Sequence, residues 1–148
     1  MFFVTTSRKP CASTRKTARW LAAFLGGAYE PRGKQSVAEA SESALALGLK
    51  KIAFVHDRNG NPSEIAFLDC VKQEWLEPSI KVKSVRLPEG KPRSMPTAFV
   101  VKNEGGDARV AALFAGCGEP EGGFTEILLT PGAITLGYGK AVMRIAFE

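Results

Sequence analysis

The chain predicts an α/β (α+β) domain in which helices pack on a mixed sheet. Three observations carry that prediction. Apolar residues alternate with period two in several short runs, two helix candidates carry start or stop signals, and one strand-loop-helix layout occurs twice. At 148 residues the chain fits a single domain, spanning 1–148, with a core large enough to need neither disulfides nor metals.

"FFVTT" (2–6) reads as the first strand, and the following segment as a helix running to Gly26 and Gly27. At 100° per residue, Thr14, Ala18, Leu21 and Leu25 fall on one side of that helix, while Arg15, Lys16 and Arg19 fall on the other. Trp20 lies on the seam and is expected to be a partly buried core residue. "SVAEASESALALG" (36–48) opens with the capping box Ser36/Glu39 and stops at Gly48, predicting a helix with Val37, Ala40, Ala44 and Leu47 on its buried stripe.

"KIAFVH" (51–56) and "EIAFLD" (64–69) read as strands joined by the turn sequence Arg58-Asn59-Gly60-Asn61-Pro62. "IKVKSVRL" (80–87) and "AFVVK" (98–102) supply two more strands. "FTEILLT" (124–130) and "KAVMRIAF" (140–147) are expected to be the last two, separated by a Gly/Pro-rich turn.

An internal duplication is suggested by "TARWLAAFLGG" (17–27) and "DARVAALFAGC" (107–117), which share Ala, Arg, Ala, Phe and Gly at an offset of ninety. Approximate halves are then 1–76 and 77–148. Aligning Phe3-Val4 with Phe99-Val100 gives the first copy six more residues between strand and helix, in the loop holding Arg8, Lys9 and Pro10.

Charge separates the halves further. The chain carries +5 overall, yet residues 1–36 hold seven basic residues against Glu30 alone, and the remainder is −1. A basic, acid-poor N-terminus is also the composition of a transit peptide, but the strand and the repeat predict a structural, retained segment. Localised positive charge points to an anionic partner such as nucleic acid. The proposed phosphate contacts are Arg8, Lys9, Arg15, Lys16, Arg19, Arg32 and Lys34, with Gly33 allowing close backbone approach.

Catalytic chemistry finds few residues. His56 stands alone, with no companion for a metal site, and is expected to be structural. There is no Walker-type loop, and Asp57, Glu64 and Asp69 have no spacing that singles them out. Cys11, Cys70 and Cys117 are far apart and odd in number, indicating neither a disulfide framework nor a zinc ribbon. The expectation is a cytoplasmic protein that is not an enzyme, uses no cofactor or metal, and does not enter a membrane.

These motifs, in this order, resemble the Brix domain of ribosome-assembly proteins, particularly its short archaeal members. "TTSRKP" (5–10) is similar to the family's opening Thr-Ser-Arg-x-Pro, and "LAAFLGGAYEPRG" (21–33) to its helix, short strand and Arg-Gly pair. "IAFVHDRNGNPSEIAF" (52–67) resembles its strand, Gly-x-Pro turn, strand unit; "MPTAFV" (95–100) resembles its Gly-Pro-Thr-Ala segment, with Met95 where Gly is usual. The match weakens in the last third, where the family's basic, aromatic ending is missing.

The resemblance implies two similar halves, each related to the anticodon-binding domain of class II aminoacyl-tRNA synthetases. It also implies a role in ribosome biogenesis, by binding ribosomal RNA or its precursor, alongside other assembly proteins. The competing reading is a protein-interaction module whose basic face docks an acidic assembly partner.

Overall fold

The computed structural model describes residues 2–92, 95, 96, 98–114 and 123–148. Cys117 and the Gly116 of the repeat lie outside the described residues. In chain order the elements are β1 (Phe3–Thr6), α1 (Ala12–Phe24), β2 (Ala28–Tyr29), α2 (Val37–Ala46), β3 (Lys51–Arg58), β4 (Asn61–Asp69), β5 (Glu74–Arg86), β6 (Phe99–Asn103), α3 (Ala108–Leu113), β7 (Thr125–Thr130), β8 (Ala133–Tyr138) and β9 (Ala141–Phe147).

Among the described residues, nine strands form one mixed sheet in the order β2-β1-β3-β4-β5-β9-β8-β7-β6. The same pairing pattern runs inward from both ends. β1 lies parallel to β3, which continues antiparallel through β4 to β5; β6 lies parallel to β7, which continues antiparallel through β8 to β9. The two series meet where β5 and β9 pair antiparallel, with Val85 opposite Ile145 and Arg86 opposite Arg144.

Local chemistry accounts for the boundaries. The β3–β4 hairpin closes through Asn59 and Gly60, at φ 53° and 79°, a two-residue turn that needs positive φ at both positions. α2 starts at its capping box, where Ser36 Oγ accepts from Glu39 N at 3.1 Å and Glu39 accepts from Ser36 N at 3.2 Å. On α2 the buried residues are Ala40, Ser41 and Ala44; Leu47 falls at the C-cap and is exposed, because the helix ends before its turn reaches the sheet.

The core has two layers. α1 and α3 cover one face of the sheet, burying Phe2, Val4, Leu21, Phe24, Val55, Ile65, Phe67, Phe99, Phe114, Ile127 and Ile145 in one cluster that crosses both halves. Four phenylalanines join the halves: Phe2 lies 6.1 Å from both Phe99 and Phe114, and Phe67 lies 5.5 Å from Phe114. α2 covers the other face of the first half alone, over Phe3, Ile52, Phe54, Leu68 and Cys70.

Two sequence readings are corrected here. Residues 133–138 form β8, a full strand between the two expected to be neighbours. Its Ile134 and Leu136 alternate as a strand should, but the run is short and sits between Pro131-Gly132 and Gly139-Lys140. β5 begins at Glu74 rather than near Ile80; Pro78 and a register irregularity against β4 hide its first half.

The repeat also has a different register. Phe3 corresponds to Phe99 and the α1 N-cap Cys11 to the α3 N-cap Asp107, an offset of ninety-six residues. Burial agrees, since Thr14 and Thr17 face the core where Val110 and Leu113 do. The six extra residues assigned to the first loop are therefore the first turns of α1, and Arg109 corresponds to Ser13 rather than Arg19.

Gly27 shows how closely α1 is pulled onto β1. A Cβ there would stand 1.6 Å from the carbonyl oxygen of Phe2, itself accepting from Ala28 N at 3.2 Å. Gly27→Ala is expected to cost about 3 kcal/mol or more in urea unfolding. Gly33→Ala, at φ 56° but with open space around it, should cost only about 1 kcal/mol.

Candidate functional site

The basic cluster gathers at the C-terminal end of β1. Parallel pairing sets Thr6 beside Val55, so the chain leaving β1 runs past the end of β3, where Ser7 N donates to Val55 O at 3.0 Å. Asp57 on β3 then meets the loop. Its carboxylate accepts from Cys11 N at 2.8 Å, Thr14 Oγ1 at 3.2 Å and Ser7 Oγ at 3.3 Å. Burial alone would raise the Asp57 carboxyl, but the hydrogen bonds from Cys11, Thr14 and Ser7 outweigh it and hold the group below its ordinary value.

That carboxylate occupies the start of α1, whose N-cap Cys11 makes no side-chain cap of its own. The helix N-terminus is thus already matched by an acid of the same chain, leaving phosphate contact to side chains. Sequence spacing did not mark Asp57, because its partners lie more than forty residues away. The Cys11 thiol sits beside it, 3.0 Å from Thr14 Oγ1 and 3.1 Å from the carbonyl of Gly60. Slight burial would raise that thiol, but hydrogen bonds from Ser13 and Thr14 lower it overall.

The structure sorts the predicted contacts into two groups. Arg8, Lys9, Lys16, Arg19, Gly33 and Lys34 are exposed. Arg19 lies 5.5 Å from the Tyr29 ring centroid, and among the described residues no ion pair engages Arg8, Lys9, Lys16, Arg19 or Lys34. Lys9 is held at φ 53° in the left-handed region, and Gly33 at φ 56° in the turn after β2.

Arg15 and Arg32 belong to the scaffold. Arg15 is half-buried and donates from Nη1 to Pro10 O at 2.7 Å, bracing the loop. Arg32 lies apart from the exposed group: it is 8% exposed, donates from Nε to Gln35 O at 2.7 Å and from Nη1 to Thr6 O at 3.1 Å, and lies over Phe54 at 5.3 Å. Burial, and secondarily the nearby charge of Arg8, lower its pKa. Its role is to tie the residues after β2 to the end of β1.

Trp20 is buried and stacks on Phe24 at 5.7 Å. His56 is half-buried and stacks on Phe54 at 6.4 Å; burial pushes its imidazole below the ordinary value, opposed by Glu64. Among the described residues no three metal-ligating side chains gather, and no helix is long and apolar enough to cross a membrane.

No family model matches the chain. It is 33% identical over 84 residues to a probable Brix domain-containing ribosomal biogenesis protein of Pyrobaculum aerophilum, a match covering 56% of this chain and 46% of that protein. A Methanosarcina barkeri protein of the same name is 41% identical over 66 residues, covering 45% of this chain and 40% of the relative. The matches thus span less than half the length of these curated relatives.

Solved structures align more fully. A probable ribosomal biogenesis protein from Aeropyrum pernix K1 superposes with a TM-score of 0.78 at 29% identity, covering 98% of this chain and 94% of that one. Mil, an archaeal Imp4-like protein, gives 0.74 at 25% identity, with 98% and 95% covered. The Brix resemblance read from the sequence is borne out, and the Pyrobaculum, Methanosarcina and Aeropyrum relatives are each named as probable ribosomal biogenesis proteins.

Asp57 offers a direct test of how the basic loop is held. Asp57→Asn should lose about 1 kcal/mol of stability at pH 7 in urea unfolding. Because the folded carboxyl titrates below its unfolded value, the wild-type advantage is complete above about pH 4. It should vanish as pH falls through the folded pKa, so that both proteins unfold alike in acid.

Proposed function

We propose that this chain, which shares the fold of the archaeal ribosome biogenesis proteins above, is a cytoplasmic assembly factor that binds ribosomal RNA or its precursor. The contact surface is the β1–α1 loop and the outer face of α1. The observation that carries the reading is that Arg8, Lys9, Lys16 and Arg19 stand exposed on one loop and one helix face, with no acidic side chain among the described residues pairing them. An exposed helix stabilised by its own charges would interleave signs. α1 instead has no acidic residue at all.

Each part of the local structure serves that surface. Arg15 and Asp57 fix the loop, Arg32 anchors the turn carrying Gly33 and Lys34, and the apolar side of α1 locks the helix on the sheet. The four cations of the loop and helix, with Lys34 beside them, are then presented on a rigid base, where they neutralise phosphates in any sequence.

Binding to structured ribosomal RNA should weaken with salt at a log-log slope of about −3 to −5, as expected for four to six phosphates. Lys16→Glu with Arg19→Glu should lower affinity about tenfold or more while circular dichroism stays native. Arg109→Glu is the control on the second half's helix, since Arg109 is already paired to Asp107 at 3.0 Å, and little change is expected. A slope near zero, or equal losses at both places, would overturn the assignment and favour an acidic protein partner or a surface shared by the halves.

A further inference from the structure

The side of the sheet that α2 covers in the first half is left without a helix in the second, among the described residues. One row of that open face runs across five strands: Arg86 on β5, Arg144 on β9, Thr135 on β8, Leu128 on β7 and Lys102 on β6. The neighbours of these residues in sequence, Val85, Ile145, Ile134, Ile127 and Val101, point the other way, into or against the core. By strand alternation the row itself faces outward.

Arg86 and Arg144 are directly opposite each other on antiparallel strands, both exposed, and no described carboxylate pairs with either. Like charges in that position are unfavourable, and solubility alone would be served equally well by mixed signs. Lys102, at the far end of the row, differs in being paired to Glu104 at 3.2 Å. Two unneutralised guanidinium groups side by side form a seat for anionic oxygens.

Next to the pair lies a shallow hollow of about 410 Å³, lined by Phe124, Tyr138, Val142, Thr135 and Glu126 among others. Phe124 and Tyr138 are 40% and 41% exposed, far more than aromatic residues that serve a core. Thr135 belongs both to the hollow and to the register of Arg144, so the two features are contiguous. Glu126 makes the hollow unfit for phosphate but suited to a base, whose ring N–H and amino groups donate to a carboxylate.

We propose that this open face binds an unpaired segment of the RNA, with phosphates on Arg86 and Arg144 and a base stacked on Tyr138 and Phe124 in the hollow. The inference rests on the RNA-binding reading and adds to it a second surface, on the opposite side of the sheet from α1, with single-strand selectivity. Duplex RNA does not offer its bases for stacking, so the α1 surface meets folded RNA and the sheet face meets a loop or an end.

The probe is an unstructured oligouridine of about twelve nucleotides, within the usual range for such sites, compared with a blunt RNA duplex. Arg86→Gln with Arg144→Gln should weaken oligouridine binding about tenfold and make the salt slope shallower by about 1.4, two phosphates' worth. Tyr138→Ala should weaken it about fivefold or more without changing the slope or duplex binding, and Tyr138→Phe should restore it. Phe124→Ser gives a second reading of the hollow, and thermal melts confirm that each variant folds.

If oligouridine binding ignores these substitutions while Lys16→Glu with Arg19→Glu abolishes it, the second surface is overturned and the α1 reading stands. If the sheet-face variants lose binding and the α1 variant does not, the reverse holds. Displacement by poly-glutamate as effective as by oligouridine would make the face a docking site for an acidic protein and overturn the stacking site. Absence of any RNA binding by the wild-type chain overturns both.

Discussion

The β5–β9 ladder is the contact on which the rest of the molecule depends. Without it each half would be a short sheet with a bare edge and half of a hydrophobic cluster facing water. With it, Phe2 and Phe67 from one half close on Phe99 and Phe114 from the other, and the apolar layer under α1 and α3 becomes continuous. The fully buried Phe2, Phe67 and Phe99 each gain about 1.5–3 kcal/mol from leaving water, which makes the seam a large share of a marginal total stability. It also fixes the two faces of the sheet with respect to each other, and therefore which charged residues become neighbours.

Much of this was legible in the sequence wherever one local rule decided the outcome. The segregated faces of α1 follow from period, the start of α2 from Ser36 and Glu39, and the β3–β4 turn from Asn59-Gly60. Readings failed where two local signals conflicted or where the partner was distant. β8 carried the right alternation but sat between glycine turns, and Pro78 concealed the beginning of β5. Ala, Arg and Phe matches suggested a repeat at ninety residues, whereas the strand and helix starts of the fold align at ninety-six, because buried positions rather than identical letters align the helices.

Distance also explains what was missed at the basic surface. Composition counts Arg32 as one more free cation, whereas parallel pairing of β1 with β2 and β3 brings Thr6 and Phe54 to it and buries it. Asp57 looked like an unremarkable acid beside His56, and the same pairing sets it against Cys11, Thr14 and Ser7. Net charge therefore overstates the free positive groups, while missing that a depressed carboxylate is what organises them. An ion count reads the number of charges; only the strand order tells which are still available to a partner.

The two halves make opposite use of the same position in the fold. On the face away from α1, the first half places Phe3, Ile52, Phe54 and Leu68, and these require α2 as a cover. In the second half, among the described residues, no helix stands between α3 and β7 to match it. Its face carries Glu126, Thr135 and Arg144 beside Leu128 and Val142, a mixed set in place of the fully apolar one. A face with no cover needs polar residues, but that need is met by any mixture of charges. Two arginines in register, beside exposed Phe124 and Tyr138, go beyond what solubility asks, and in that excess the open half of the sheet differs from an ordinary solvated surface.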